Sequence, residues 1–189
     1  MNVEYISIVW MFVECFIAIY AGLLASSMAL LAFGGDGILD MISSWTVLSY
    51  LRRAERVKEI VEENKRADRV KTIFTFLLVP TIVIGVAYSY LSGVVVESSV
   101  LGIGMVAGAV VIIPILAVEK NRVGSKASLL PLSIDAVESW ICFFMSLALL
   151  GGLAVNYLWR IWWADSLAAL VILVFIMSRI LVPLRKTGN

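Results

Sequence analysis

Residues 23–48 read LLASSMALLAFGGDGILDMISSWTVL. About 20 apolar residues in a helix cross about 30 Å of hydrocarbon, and this stretch is long enough. It is interrupted by Asp36 and Asp40. An ionised aspartate at the centre of a bilayer costs about 2.5–3.5 kcal/mol on insertion scales. The two are four apart, so in a helix they share one face. Such a helix does not turn this face to lipid. It turns it to a bundle interior, where protons or a cation offset the charge.

The rest of the chain agrees with a membrane reading. Of 189 residues, 61% are hydrophobic and 15% are charged, with no histidine. Soluble domains run at about 45–50% apolar and about 25% charged. One core of this size cannot hide the excess, so lipid is expected to cover part of the surface. A net charge of +1 gives no global basic field for nucleic acid. Without histidine the chain lacks the usual general base and the commonest transition-metal ligand. No nucleophile–base pair and no nucleotide-binding loop is present, so an enzyme is not expected. Nor is an organic cofactor. Cys15 and Cys142 each sit inside an apolar run and do not read as a disulfide framework.

Apolar runs predict six spans, at about 6–24, 28–51, 72–92, 98–118, 129–155 and 165–184. They predict an all-α membrane protein with a single transmembrane domain over 1–189 and no soluble domain. The first run has no Lys or Arg before it, so it reads as a span and not as a cleaved signal peptide. Of the 15 Lys and Arg residues, all but Arg160 fall at 52–71, 120–126 and 179–186. That asymmetry predicts both termini in the cytoplasm of a multi-pass plasma-membrane or bacterial or archaeal cytoplasmic-membrane protein. Tyr157, Trp159, Trp162 and Trp163 then form an aromatic belt at the outer interface. The mixed-charge segment 52–71 reads as a solvated helical extension of the second span. Its alternative role is a cation funnel through Glu55, Glu59, Glu62 and Glu63. Pro80 and Pro114 predict kinks. Gly104-x-x-x-Gly108 offers a close-approach surface.

The acids inside the spans are Glu14, Asp36, Asp40, Asp135 and Glu138. No Lys or Arg falls within the same predicted zone, so these groups are expected to hold protons or a cation. Asp135 and Glu138 are i,i+3, and Cys142 lies one turn beyond Glu138. At 1.5 Å per residue, Asp36 and Asp40 lie about 12 and about 18 Å from the outer end of their span. Glu138 and Cys142 lie about 13 and about 20 Å from the inner end of theirs. Asp36, Asp40, Glu138 and Cys142 can thus meet near the midplane, with Asp135 beside them as a further candidate metal ligand. Glu14 is placed to flank the site, relay protons or bond a neighbouring helix. Asp165 reads as a helix cap. Gly34, Gly35 and Gly37 allow close helix approach or a loosened backbone. Ser43 and Ser44 are expected to bond back to carbonyls.

These residues carry a resemblance. Residues 23–48 resemble the first-to-second span region of cation diffusion facilitators, which reads GSxALLADAxHSxxDxxSS, with Asp36 and Asp40 on its ligand pair. Ile134-Asp135-Ala136-Val137-Glu138-Ser139 is similar to the fifth-span ADAxHS, which sets Glu138 and Cys142 on the second ligand pair. A match displaced by one turn sets Ile134 and Glu138 there instead. Residues 163–170, WADSLAAL, are similar to the WADPLAAL opening the sixth span. The family's cytoplasmic C-terminal domain has no counterpart after the last span. A branch of zinc-transport relatives also lacks that domain, and Phe33 to Asp40 resembles its second span.

The resemblance implies a secondary transporter that exports a divalent cation by alternating access and proton antiport, working as a homodimer. A tetrahedral Asp36, Asp40, Glu138 and Cys142 set suits Zn²⁺. An all-oxygen set without Cys142 suits Mn²⁺, Fe²⁺ or Mg²⁺. Ser139 stands beside the ligands as a supporting or proton-relay group. Other readings stay open: a proton-coupled exporter of organic cations, with Trp45 and Trp140 near the acids, a cation channel, or a non-transporting metal-binding subunit.

Overall fold

A computed structural model of the chain describes residues 2–52, 57–93, 97, 99–126, 130–161 and 163–187. Within them the chain forms helices α1 (Asn2–Ala25), α2 (Met28–Arg52), α3 (Val57–Ser92), α4 (Val100–Lys126), α5 (Leu130–Trp159) and α6 (Ala164–Thr187). Four described stretches are long and apolar enough to cross a membrane: Val3–Ala25, Arg69–Ser92, Val100–Lys126 and Asp135–Trp159. These are compatible with a multi-pass membrane protein. The apolar part of α6, Ala164–Ser178, is shorter, and α2 is not among the four.

The position of α2 explains its composition. It touches α1, α3, α5 and α6, so most of its surface meets protein. Ala29, Leu30, Ala32, Phe33, Asp36, Asp40, Ser44 and Leu48 are all buried. A helix sheathed by others has no need to be apolar all round. Lipid-type surface falls on its neighbours instead: Phe12, Phe16 and Leu23 of α1 and Ile73, Phe76 and Leu77 of α3 are exposed. Tyr157, Trp159 and Trp163 are exposed too, while Trp162 lies outside the described residues.

Small residues let α1 and α2 approach closely. Ala18, Ala21, Ala25, Ala29 and Ala32 are buried along the seam. A Cβ at Gly34 would meet Ile19 Cγ1 at 2.7 Å and its backbone N at 3.1 Å. One at Gly37 would meet Cys15 Cβ at 3.3 Å, and one at Gly35 would meet Leu78 of α3 at 2.6 Å. The three glycines therefore serve close packing, and α2 stays helical through them. Gly102 supplies the tight position of α4, where a Cβ would meet Leu30 Cδ1 at 2.9 Å. Gly104 has open space around it and Gly108 meets only Trp10.

One expectation changes. Segment 52–71 does not prolong α2. From Val57 on it is the first part of α3, whereas 53–56 lie outside the described residues. Of the funnel acids, Glu55 lies outside the described residues and the side chains of Glu59, Glu62 and Glu63 are not described. Pro80 and Pro114 lie inside α3 and α4.

Asp165 is a cap, but of α2 and not of its own helix. The Ser27 hydroxyl donates to its Oδ1, and the Ala29 N–H donates to its Oδ2 at 3.3 Å. Ser27 Oγ in turn accepts from the Leu30 N–H at 3.1 Å. The chain turns sharply before it, with Ser26 at φ 54°. A carboxylate at the amino end of α2 satisfies orphan N–H groups and meets the positive end of the dipole. Asp165→Ala strips this buried cap and is expected to cost about 1–3 kcal/mol. A thermal midpoint of the detergent-purified variant equal to the parent's contradicts that assignment.

Candidate functional site

The interior carboxylates form two groups at different depths. Asp36 and Asp40 are 1% and 3% exposed on α2, one turn apart. Glu14 of α1, 5% exposed, lies in electrostatic contact with both. The seam sets this register. Cys15 Sγ donates to the Gly34 carbonyl at 3.1 Å, which brings the middle of α1 level with the two aspartates.

The second group belongs to α5. Here the sequence expectation of acids without basic neighbours is overturned. Lys120 of α4 is fully buried, and its ammonium donates to Asp135 Oδ2. The same ammonium lies 3.4 Å from Ser139 Oγ, and the Ser139 hydroxyl donates to the Asp135 carbonyl at 3.1 Å. The Ser44 hydroxyl of α2 donates to Asp135 Oδ1 at 3.2 Å, not to a carbonyl of its own helix. Both Asp135 oxygens are therefore engaged. Lys71 of α3 lies 3.8 Å from Glu138 Oε1 in a pair about a quarter exposed, 25% and 28%. Cys142 is buried, with its carbonyl taken by the Ser146 hydroxyl at 2.9 Å.

The missed residue is Lys120. The apolar run ends at 118, which makes Lys120 look like a loop charge. α4 continues to Lys126, and its buried stripe runs Ile113, Ala117, Lys120, Gly124 at helical spacing. That spacing, carried past the end of the apolar run, is the sequence signal for it. The long apolar stem of a lysine suits such a position.

Glu4 of α1 lies in electrostatic contact with Lys120 and Asp135, so the start of α1 stands beside the end of α4. With short connections from α1 to α2 and from α4 to α5, α2 and α5 run antiparallel. The Ser44–Asp135 bond then fixes their register. One turn further in, Asp40 is level with Glu138 and Ser139, and two turns in, Asp36 is level with Cys142. Asp36, Asp40, Glu138 and Cys142 all engage in polar or electrostatic contacts within the bundle. Among the described residues, however, no three Cys, Asp or Glu side chains gather closely enough to hold a metal ion. The acids share levels without converging on a point. The Ile134 side chain, in the rival register, is not described.

Protein-family models give no match to the chain, and no curated protein matches it.

Removing one partner of a buried pair leaves an uncompensated charge. Lys120→Met is expected to destabilise by about 3–5 kcal/mol. Lys71→Met, at a partly solvated pair, should stay within about 1 kcal/mol. Lys120→Met combined with Asp135→Leu should recover most of the loss. Thermal denaturation of the three variants checks the ranking, and equal losses at Lys71 and Lys120 contradict it.

Proposed function

We propose that the chain is a secondary transporter that moves a divalent metal cation out of the cytosol in exchange for protons. The observation that carries this reading is the burial of Asp36 and Asp40 on the helix most enclosed by protein, with Glu14 beside them. Like charges at that depth repel, and a divalent cation or protons lower the energy of the arrangement. Asp36 and Asp40 are the first ligand pair. Glu138 and Cys142, at the same levels on α5, complete the set, and Asp135 stays outside it because both its oxygens are engaged.

Gathering these groups round one ion requires α2 and α5 to shift against each other. A site whose ligands are level but not convergent fits a cycle in which the ion itself draws them together. The cation is substrate and not a resident cofactor. Zn²⁺ is the first choice where Cys142 ligates, with Mn²⁺ or Fe²⁺ next for an all-oxygen set. Both termini lie on the cytosolic side in this reading. The chain works as a homodimer through membrane helices, for which the open face at Gly104 is one surface.

The coupling follows from chemistry. Carboxylates must lose their protons to bind metal, so metal and proton compete. Affinity is greatest at higher pH and falls as the pH falls and protons occupy the ligands. Asp40→Asn keeps the size and removes one charge and one titrating group. It should weaken Zn²⁺ and Mn²⁺ binding by more than about 10-fold, the loss expected even of a supporting residue. It should also flatten the pH dependence. Calorimetric titration of both proteins at two pH values, with flux into vesicles, tests this. Equal affinity and equal pH slope remove the pair from the site. A protein that binds a hydrophobic organic cation but no metal supports the drug-exporter reading instead.

A further inference from the structure

The cluster at the end of the bundle has a composition that the Asp36–Asp40 site does not explain. It contains one buried ammonium and two buried carboxylates. Lys120 is 0% exposed, Asp135 2% and Glu4 1%. Asp135 is satisfied twice over, by Lys120 and by the Ser44 hydroxyl at 3.2 Å. Glu4 is not. Its carboxyl approaches that of Asp135 and lies near Lys120, but neither of its oxygens reaches full hydrogen-bond geometry with a described residue.

The groups that face Glu4 can be named by element. α4 presents Lys120, and α5 presents Asp135. Among the described residues of α2, Ser44 is the group at this level, and it is already given to Asp135. On its own helix, Ser7 is buried one turn away, its hydroxyl unpartnered among the described residues, and the chain's amino end attracts Glu4 more weakly than Lys120 does. One ammonium cannot neutralise two carboxylates. An uncompensated buried charge is costly, and the cheapest remedy within reach of water at a helix end is a proton.

We propose that Glu4, together with Lys120 and Asp135, forms a proton-binding site at the end of the bundle, separate from the Asp36–Asp40 site. The proton comes from water and rests on the Glu4 carboxyl. It is held there because Asp135 already claims the single ammonium. If Asp135 is neutralised, Lys120 becomes available to Glu4, which then ionises and gives its proton back to water. The site thus holds one proton for as long as two carboxylates share one ammonium. This does not require the chain to move a metal.

Infrared difference spectroscopy of the full chain in lipid, at neutral pH, reads the C=O stretch of protonated carboxyls. The background is Asp36→Asn/Asp40→Asn, so that the first site is silent and its failure stays distinct. Glu4→Gln, close in size, should lose one carboxyl's worth of the band. Asp135→Asn should lose the same amount, because Glu4 then ionises against Lys120. Glu4→Gln/Asp135→Asn should lose no more than either single variant. An unchanged band in Glu4→Gln overturns the proposal. A band that disappears in Glu4→Gln but persists in Asp135→Asn also overturns it, since Glu4 is then protonated by burial alone and shares no site with Lys120. Thermal midpoints recorded on the same samples identify any variant that has not folded, and Glu4→Ala with Lys120→Arg provides a second pair for the same reading.

Discussion

Two aspartates one turn apart on α2 constrain everything packed around it. A helix carrying Asp36 and Asp40 cannot face hydrocarbon on that side without a cost of several kcal/mol. The chain meets the constraint by enclosing α2. α1 closes over it through an alanine and glycine seam, and α3, α5 and α6 cover other sides. The close approach at Gly34 and Gly37 brings the α1 backbone against that of α2, and so sets Glu14 beside the aspartates. The apolar surface then falls to α1, α3, α4 and α5, which supply the four stretches suited to a membrane.

The ends of α2 are fastened differently. At its start, Asp165 of α6 accepts from Ser27 and the Ala29 N–H, so a carboxylate balances exposed backbone donors. Near its end, Ser44 donates to Asp135, which Lys120 already holds. The first is a neutral-to-anion cap and the second joins α2 to an ion pair. Between them lie Asp36 and Asp40. The enclosed helix is therefore pinned at two levels by groups from α4, α5 and α6, and its charged face is held between the pins.

Much of this was legible in the sequence. Each apolar run became a helix, because about 20 apolar residues leave few other solutions. The depth arithmetic on α2 and α5 gave levels that the Ser44–Asp135 bond reproduces, because rise per residue is nearly constant. Partner choice was not legible. Asp165 looked like a cap for the helix it opens, and only the packing of α6 beside the start of α2 gives it Ser27. Lys120 looked like a loop charge because hydropathy falls at 118, although its helix and its buried stripe run on. Ser44 looked self-satisfied because local bonding is the common outcome for a helical serine. In each case the deciding contact is between helices, and no local pattern encodes it.

The surroundings of the carboxylates differ by helix, and that difference bears on which of them can take up a proton or a cation. Those of α5 meet lysines: Asp135 has Lys120 and Glu138 has Lys71. Glu14 of α1 and the two aspartates of α2 meet each other instead. A carboxylate with an ammonium at contact distance has a counter-charge supplied by the fold. Carboxylates grouped with their own kind in a low-dielectric interior have a charge state that depends on what enters, proton or cation. Glu138 lies between these cases, because its lysine partner is partly solvated and comes from α3, a helix that also packs on α6. A shift of α3 that withdraws Lys71 frees Glu138 at the level of Asp40, whereas Asp135 keeps its buried lysine through the same motion.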